Sequence, residues 1–124
     1  MRLLSVFLLF LLFSGCYQVK RDCKSFKTGS FKFEALVGTQ ILTTTFVRND
    51  SIEIDFFEGK SDTSAIRWIN DCEYIVTKLR PRNRNEEKAI HIKILTTEDD
   101  TYTFEYGVVG ETRKEKGVAQ KINN

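Results

Sequence analysis

Gln40-Ile41-Leu42-Thr43-Thr44-Thr45-Phe46-Val47-Arg48-Asn49-Asp50-Ser51-Ile52-Glu53-Ile54-Asp55-Phe56 is the stretch whose reading decides the fold. Residues 40–48 are dominated by β-branched and aromatic side chains, which suit a pleated, half-buried surface. Asn49-Asp50-Ser51 is a turn signal, because these short polar side chains hydrogen-bond local backbone. Beyond it Ile52, Ile54 and Phe56 share one face and Glu53 and Asp55 the other. Alternation with period two predicts a strand. On that pattern the apolar face packs inward and the two carboxylates stand in solvent.

The same period continues in both directions. Upstream, Phe31 and Phe33 alternate with Lys32 and Glu34 after Gly29. Downstream, Glu58 to Asp62 turns the chain, and Ser64, Ile66 and Trp68 alternate with Ala65, Arg67 and Ile69. Asn70-Asp71-Cys72 is the next turn and Glu73 to Leu79 the next strand. Arg80 to Lys88 is the one long break, and it holds the only proline, Pro81. Ile90, Ile92 and Ile94 then alternate with His91 and Lys93. After the turn Glu98-Asp99-Asp100, Tyr102, Phe104, Tyr106 and Val108 share a face. A charge-rich strand is expected from about Thr112 to Ile122. Short strands at regular spacing with turn signals between them predict an all-β domain. Its architecture is an antiparallel meander of about eight strands, curled into a barrel or half-barrel.

The chain opens with Met1-Arg2, an apolar run from Leu3 to Phe13, and Ser14-Gly15-Cys16. A basic start, a short apolar core and a small-residue junction make a secretory signal. The run is shorter than the roughly 20 residues of a spanning helix. A cysteine directly after the small pair resembles a bacterial lipoprotein signal, cut before Cys16, whose thiol would carry diacylglycerol. Position 13 is Phe, where such signals usually carry Leu. The expected organisation is a signal over 1–15, a short tether over 16–22 and one β domain over 23–124. The tether reaches only about 20 Å when extended, so the domain would sit close to a membrane.

The chain carries 19 Lys and Arg against 17 Asp and Glu. Such near-neutrality argues against a nucleic-acid binder, which shows a clear basic excess. Three cysteines are present. With Cys16 assigned to lipid, Cys23 and Cys72 remain, as a disulfide or as two separate buried thiols. In an up-and-down meander the start of the first strand and the end of the fourth lie at one rim. Cys23 and Cys72 flank those two points, which favours the bridge if the sheet curls. Closing a loop of about 50 residues contributes on the order of 3–4 kcal/mol.

Cys23-Lys24-Ser25-Phe26-Lys27-Thr28-Gly29-Ser30-Phe31 opens the domain, Val47 to Ser51 follow, and Ile66 to Tyr74 around Trp68 and Cys72 come next. This set resembles a family of small exported Bacteroidetes-type lipoproteins and spans most of the mature chain. Members often carry an automatic "DNA topoisomerase IV" label. The residues give that label no support: the chain is far too short and has no Gly-rich nucleotide loop. The resemblance implies export and a β domain, and no activity residue by residue. Gly29-x-Phe31 at the head of a meander is also similar to lipocalin-like barrels, a likeness of fold that does not by itself carry function.

Candidate chemistry is sparse. His91 is the only histidine and stands on the polar side of its strand, as an ordinary solvated residue. Glu53 and Asp55 have a spacing compatible with paired-carboxylate hydrolysis, but read as a solvated face. Glu98-Asp99-Asp100 lacks the spacing of a calcium loop. Lys78, Arg80, Arg82 and Arg84 form a basic run suited to an anionic surface, with Glu86 and Glu87 as compensation. Phe46, Phe56, Trp68, Tyr74, Tyr102, Phe104 and Tyr106 are candidate cavity-lining residues. A barrel of eight strands either holds one small ligand or fills with side chains, and at this length a filled core is the simpler expectation, with Trp68 over the disulfide. No catalytic residue, metal or cofactor is assigned.

The sequence therefore points to an exported envelope protein, anchored through Cys16 and facing the periplasm or the outside. Its leading role is non-catalytic binding of a small molecule or lipid. The alternative is a protein-interaction module of the envelope with a filled core, and an enzyme comes third. The expected partners are the membrane through Cys16 and either a small apolar ligand or an envelope protein, with no nucleic acid.

Overall fold

The computed structural model describes residues 21–122. The expected signal, Cys16 and the first part of the tether lie outside the described residues. The chain runs β1 (Gly29–Val37), β2 (Gln40–Arg48), β3 (Ile52–Phe57), β4 (Lys60–Asn70), β5 (Glu73–Lys78), β6 (Ile90–Glu98), β7 (Thr101–Val108) and β8 (Glu115–Ile122). Each strand pairs antiparallel with the next, and β8 returns to β1, so the sheet is a closed barrel. Closure leaves no strand edge unpaired. The closing seam runs from Ser30↔Ile122 to Phe33↔Ala119.

The connections are tighter than the turn signals suggest. Between β3 and β4 only Glu58 and Gly59 turn the chain, with φ of 48° and 76°. Two successive left-handed residues twist with the strands they join, which is why Gly is favoured there. β4 therefore begins at Lys60 rather than after Asp62. β8 starts at Glu115, three residues later than expected.

A short 3-10 turn, Lys24–Phe26, lies across the end of the barrel where β1 begins. Phe26 is 2% exposed and packs on Tyr102 at 5.1 Å between ring centres. The Cys23–Cys72 disulfide is present, with Cα atoms 5.2 Å apart, and ties this plug to the β4–β5 turn. Lys121 Nζ donates to Ser25 O at 2.8 Å. Arg21 donates to Ile94 O at 3.0 Å, and Asp22 N to Thr97 Oγ1 at 2.8 Å. The last two residues of the expected tether are thus already held by β6. Around the plug, Phe31, Ile94 and Ala119 are fully buried and Phe46 nearly so. This end of the barrel is a filled core.

Candidate functional site

The turn between β2 and β3 fixes what faces inward. Its register sets Arg48 opposite Glu53 and Phe46 opposite Asp55. Directly opposed residues lie on the same side of the sheet. Thr44, Phe46 and Arg48 turn inward, so Glu53 and Asp55 do too. The expectation of a solvated acidic face on β3 is therefore overturned. Glu53 is only 7% exposed, whereas Phe56 is 43% exposed on the outside.

Arg48 stands at the centre of the barrel, 1% exposed. Nε donates to Lys27 O at 3.0 Å. One terminal nitrogen donates to Glu53 Oε1 at 3.1 Å and to the Tyr74 hydroxyl at 2.8 Å. The other donates to Phe26 O and, at 3.5 Å, to the Tyr102 hydroxyl. All five N–H groups of the guanidinium are thereby directed to acceptors. Its plane also lies over Phe31 at 4.7 Å and Tyr74 at 4.8 Å, where a cation is attracted by the ring faces. Burial works against the charge, but Tyr74, Tyr102 and Glu53 outweigh it and hold the group protonated.

Above this floor a cavity of about 280 Å³ opens away from the plug. Its walls are Phe33, Thr44, Phe46, Glu53, Asp55, Tyr74, Ile92, Tyr102, Phe104 and Tyr106. The rings of Tyr102, Phe104 and Tyr106 follow one another at 5.6 and 5.7 Å, with Phe33 5.7 Å from Phe104. One wall is therefore aromatic and the opposite one carries two carboxylates. The barrel is filled at one end and hollow at the other, so the expectation of a core filled throughout is corrected.

Burial and Asp55 push the Glu53 carboxyl up, Arg48 opposes them, and the net is about 7. Burial and Asp62 raise Asp55, against Lys78, to about 6. Two adjacent carboxyls facing one guanidinium ionise fully only above neutrality. The folded state thus holds protons that the unfolded chain releases at lower pH. Linkage then makes stability fall as pH rises from the ordinary carboxylate range to about pH 7. We expect a higher melting temperature at pH 5 than at pH 7.5, and a flatter profile for Asp55→Asn, read by thermal denaturation across that range.

Of the seven aromatic residues expected to line a cavity, Phe46, Tyr74, Tyr102, Phe104 and Tyr106 do so. Phe56 does not, for the register reason given above. Trp68 does not either: its ring is tilted against Tyr74 at 4.5 Å with Lys27 Nζ over it, and its buried indole N–H has no acceptor among the described residues. Lys78 leaves the expected basic run. It turns to Asp62 at 2.9 Å and Glu86 at 2.8 Å. Arg80, Arg82 and Arg84 are exposed, with Arg82 at the rim beside Asp55 and Asp62. His91 faces outward, 3.9 Å from Glu73, and is not among the cavity walls. Among the described residues no three His, Cys, Asp or Glu side chains converge as a metal site. Sequence reasoning missed Arg48, Phe33 and Ile92. The signal for Arg48 was present: opposite charges at 48 and 53 flank a short turn symmetrically.

Gly117 in β8 backs the aromatic wall. A Cβ there would lie 2.7 Å from both the Phe104 and Phe33 rings. The rings have the cavity to move into, so Gly117→Ala should cost only about 1 kcal/mol, the low end for overpacking. The same movement should shrink the cavity. Urea denaturation would read the first effect, and loss of ligand-induced NMR shifts the second.

Fold and site together define a closed eight-stranded barrel with a plugged, packed end and an amphipathic cavity at the other. Comparison with protein-family models, curated proteins and solved structures finds no match.

Proposed function

We propose that this chain is an exported, lipid-anchored envelope protein that binds a small molecule inside its barrel, without catalysis. The observation that carries the reading is the cavity, a concave, mostly apolar space with a few placed polar groups, the usual form of a ligand site. Its volume lies just below the range of about 300–1,000 Å³ typical of drug-sized ligands, so the ligand is compact. Support for the anchor comes from the Ser14-Gly15-Cys16 junction. Acyl chains on Cys16 add about 0.8 kcal/mol per buried methylene, which holds a small domain at a bilayer when two or more chains are present.

Native mass spectrometry on protein from its source cells tests both parts. The expected result is an acylated Cys16 at the new N-terminus and a small-molecule adduct on the barrel. Thr44→Trp, which places an indole in the cavity, should abolish the adduct. An intact leader would overturn the anchor, and an adduct that persists in Thr44→Trp would overturn the cavity as the site. A second reading, contact with another envelope protein, draws on the exposed outer side chains Val47, Phe56 and Ile69. No adduct on the wild-type barrel would favour it.

A further inference from the structure

The charges inside the barrel do not cancel. Arg48 is committed to Glu53 and the plug carbonyls. Lys78 is committed to Asp62 and Glu86. Among the described residues no Lys, Arg or His nitrogen lies within 4.0 Å of Asp55. Asp55 nevertheless lines the cavity, at the point where it meets a polar groove of about 270 Å³ at the rim. That groove is formed by Asp55, Phe57, Lys60, Asp62, Lys78 and Arg82, among others. Phe33, Phe104 and Tyr106 line the same cavity. The Asp55 side chain hydrogen-bonds Glu53, and Lys78 and Arg48 act on it only from beyond ion-pair distance. A carboxylate with no direct counter-ion that shares a cavity with an aromatic wall complements one kind of molecule.

We propose that the cavity takes a small organic cation, a compact amine with an aromatic or short aliphatic body. This rests on the small-molecule reading above and names its ligand class. The ammonium sits against Asp55, with Glu53 beside it, and the body lies on Phe33, Phe104 and Tyr106. A charge brought there is paired and also meets ring faces, both of which favour a cation. An anion of the same size would meet two carboxylates with no free donor from Arg48.

The charged and titratable groups around the two carboxylates are Arg48 on β2, Lys60 and Asp62 on β4, and Lys78 and Tyr74 on β5. Tyr102 and Tyr106 on β7 and Arg82 and Glu86 of the β5–β6 loop complete the set. None of the bases among them pairs with Asp55, so the ligand ammonium supplies that charge. Bound cation and bound proton then compete for the same carboxylates, and amine affinity rises with pH between about 5 and 8.

The test uses the full chain and three probes of matched shape: 2-phenylethylamine, 2-phenylethanol and 3-phenylpropanoate, titrated by heteronuclear NMR. At pH 7.5 the amine should bind at least tenfold tighter than the alcohol, and the carboxylate weakest. At pH 5 the amine's advantage should shrink severalfold. Asp55→Asn should bring the amine down to the level of the alcohol. Equal binding of amine and alcohol, tighter binding of the carboxylate, or an amine preference that survives Asp55→Asn would overturn the cation and leave the cavity reading standing. A preference independent of pH in the wild type would overturn it as well, and needs no variant to fold. If no probe shifts the cavity resonances, the small-molecule reading itself falls.

Discussion

Arg48→Met should lower the unfolding free energy by about 3–5 kcal/mol, the cost of removing one partner from a buried ion pair. The change leaves the Glu53 carboxylate buried without its cation. It also leaves Phe26 O and Lys27 O without their donors. For a domain whose total stability is of order 5–15 kcal/mol, this is a large fraction. Adding Glu53→Gln to Arg48→Met should recover part of the loss, because a neutral amide no longer needs a counter-charge. A coupling of about 1–3 kcal/mol between the two positions is expected from a double-mutant cycle in urea. Additive losses would mean that Arg48 acts only through the plug. Amide exchange offers a second reading of the same variant: the Phe26 N–H, bonded to Cys23 O at 3.0 Å, should exchange faster if the plug loosens.

Cys23→Ala with Cys72→Ala should cost about 3–4 kcal/mol, since the bridge closes a loop across 49 positions of sequence. The bridge does more than restrict the unfolded chain. It is the only covalent tie between the plug and the β4–β5 turn, and Cys23 is itself 3% exposed in the core. Without it, the plug is held by Arg48, by Lys121 at Ser25 O, by the exposed ion pairs of Lys24 and Lys27 with Asp71, by the contacts of Arg21 and Asp22 with β6 and by the packing of Phe26. We therefore expect limited proteolysis to cut between residues 21 and 28 before the barrel unfolds globally. Protection of that segment equal to the wild type would show that the non-covalent contacts suffice. The two losses should not be additive, because both act on the same plug.

The cavity and the plug depend on each other. Tyr74 and Tyr102 are held from below by Arg48, and they form part of the cavity lining above. Loss of the plug should therefore also soften ligand binding. The barrel thus divides its interior between a dry, aromatic-packed end that gives stability and a polar, partly open end that gives a site.

Much of this was legible beforehand. Alternation of large apolar residues with polar ones marks most of the strands, β-branched content marks β2, β8 shows only as a charge-rich segment, and the turn residues mark their order. The flanking positions of Cys23 and Cys72 in a meander led to their pairing. Most of the aromatic wall followed from Tyr102, Phe104 and Tyr106 sharing one face. The errors came from β3, where Ile52, Ile54 and Phe56 make a better apolar face than Glu53 and Asp55 do. Local pattern points the wrong way there, because the turn register overrides it. Phe46 and Arg48 carry their opposites to the same side, whatever the opposites are.

The sequence by itself determined the strands, their succession and which two cysteines share a rim, because period, turn chemistry and cysteine position are local properties of the chain. Tertiary structure alone decided that β8 closes on β1, that an arginine occupies the core, and that two carboxylates face an aromatic wall. Inside and outside exist for a strand only once the sheet has curled. A charge is stable in the interior only when residues distant in the chain, here Phe26, Glu53, Tyr74 and Tyr102, converge to satisfy it.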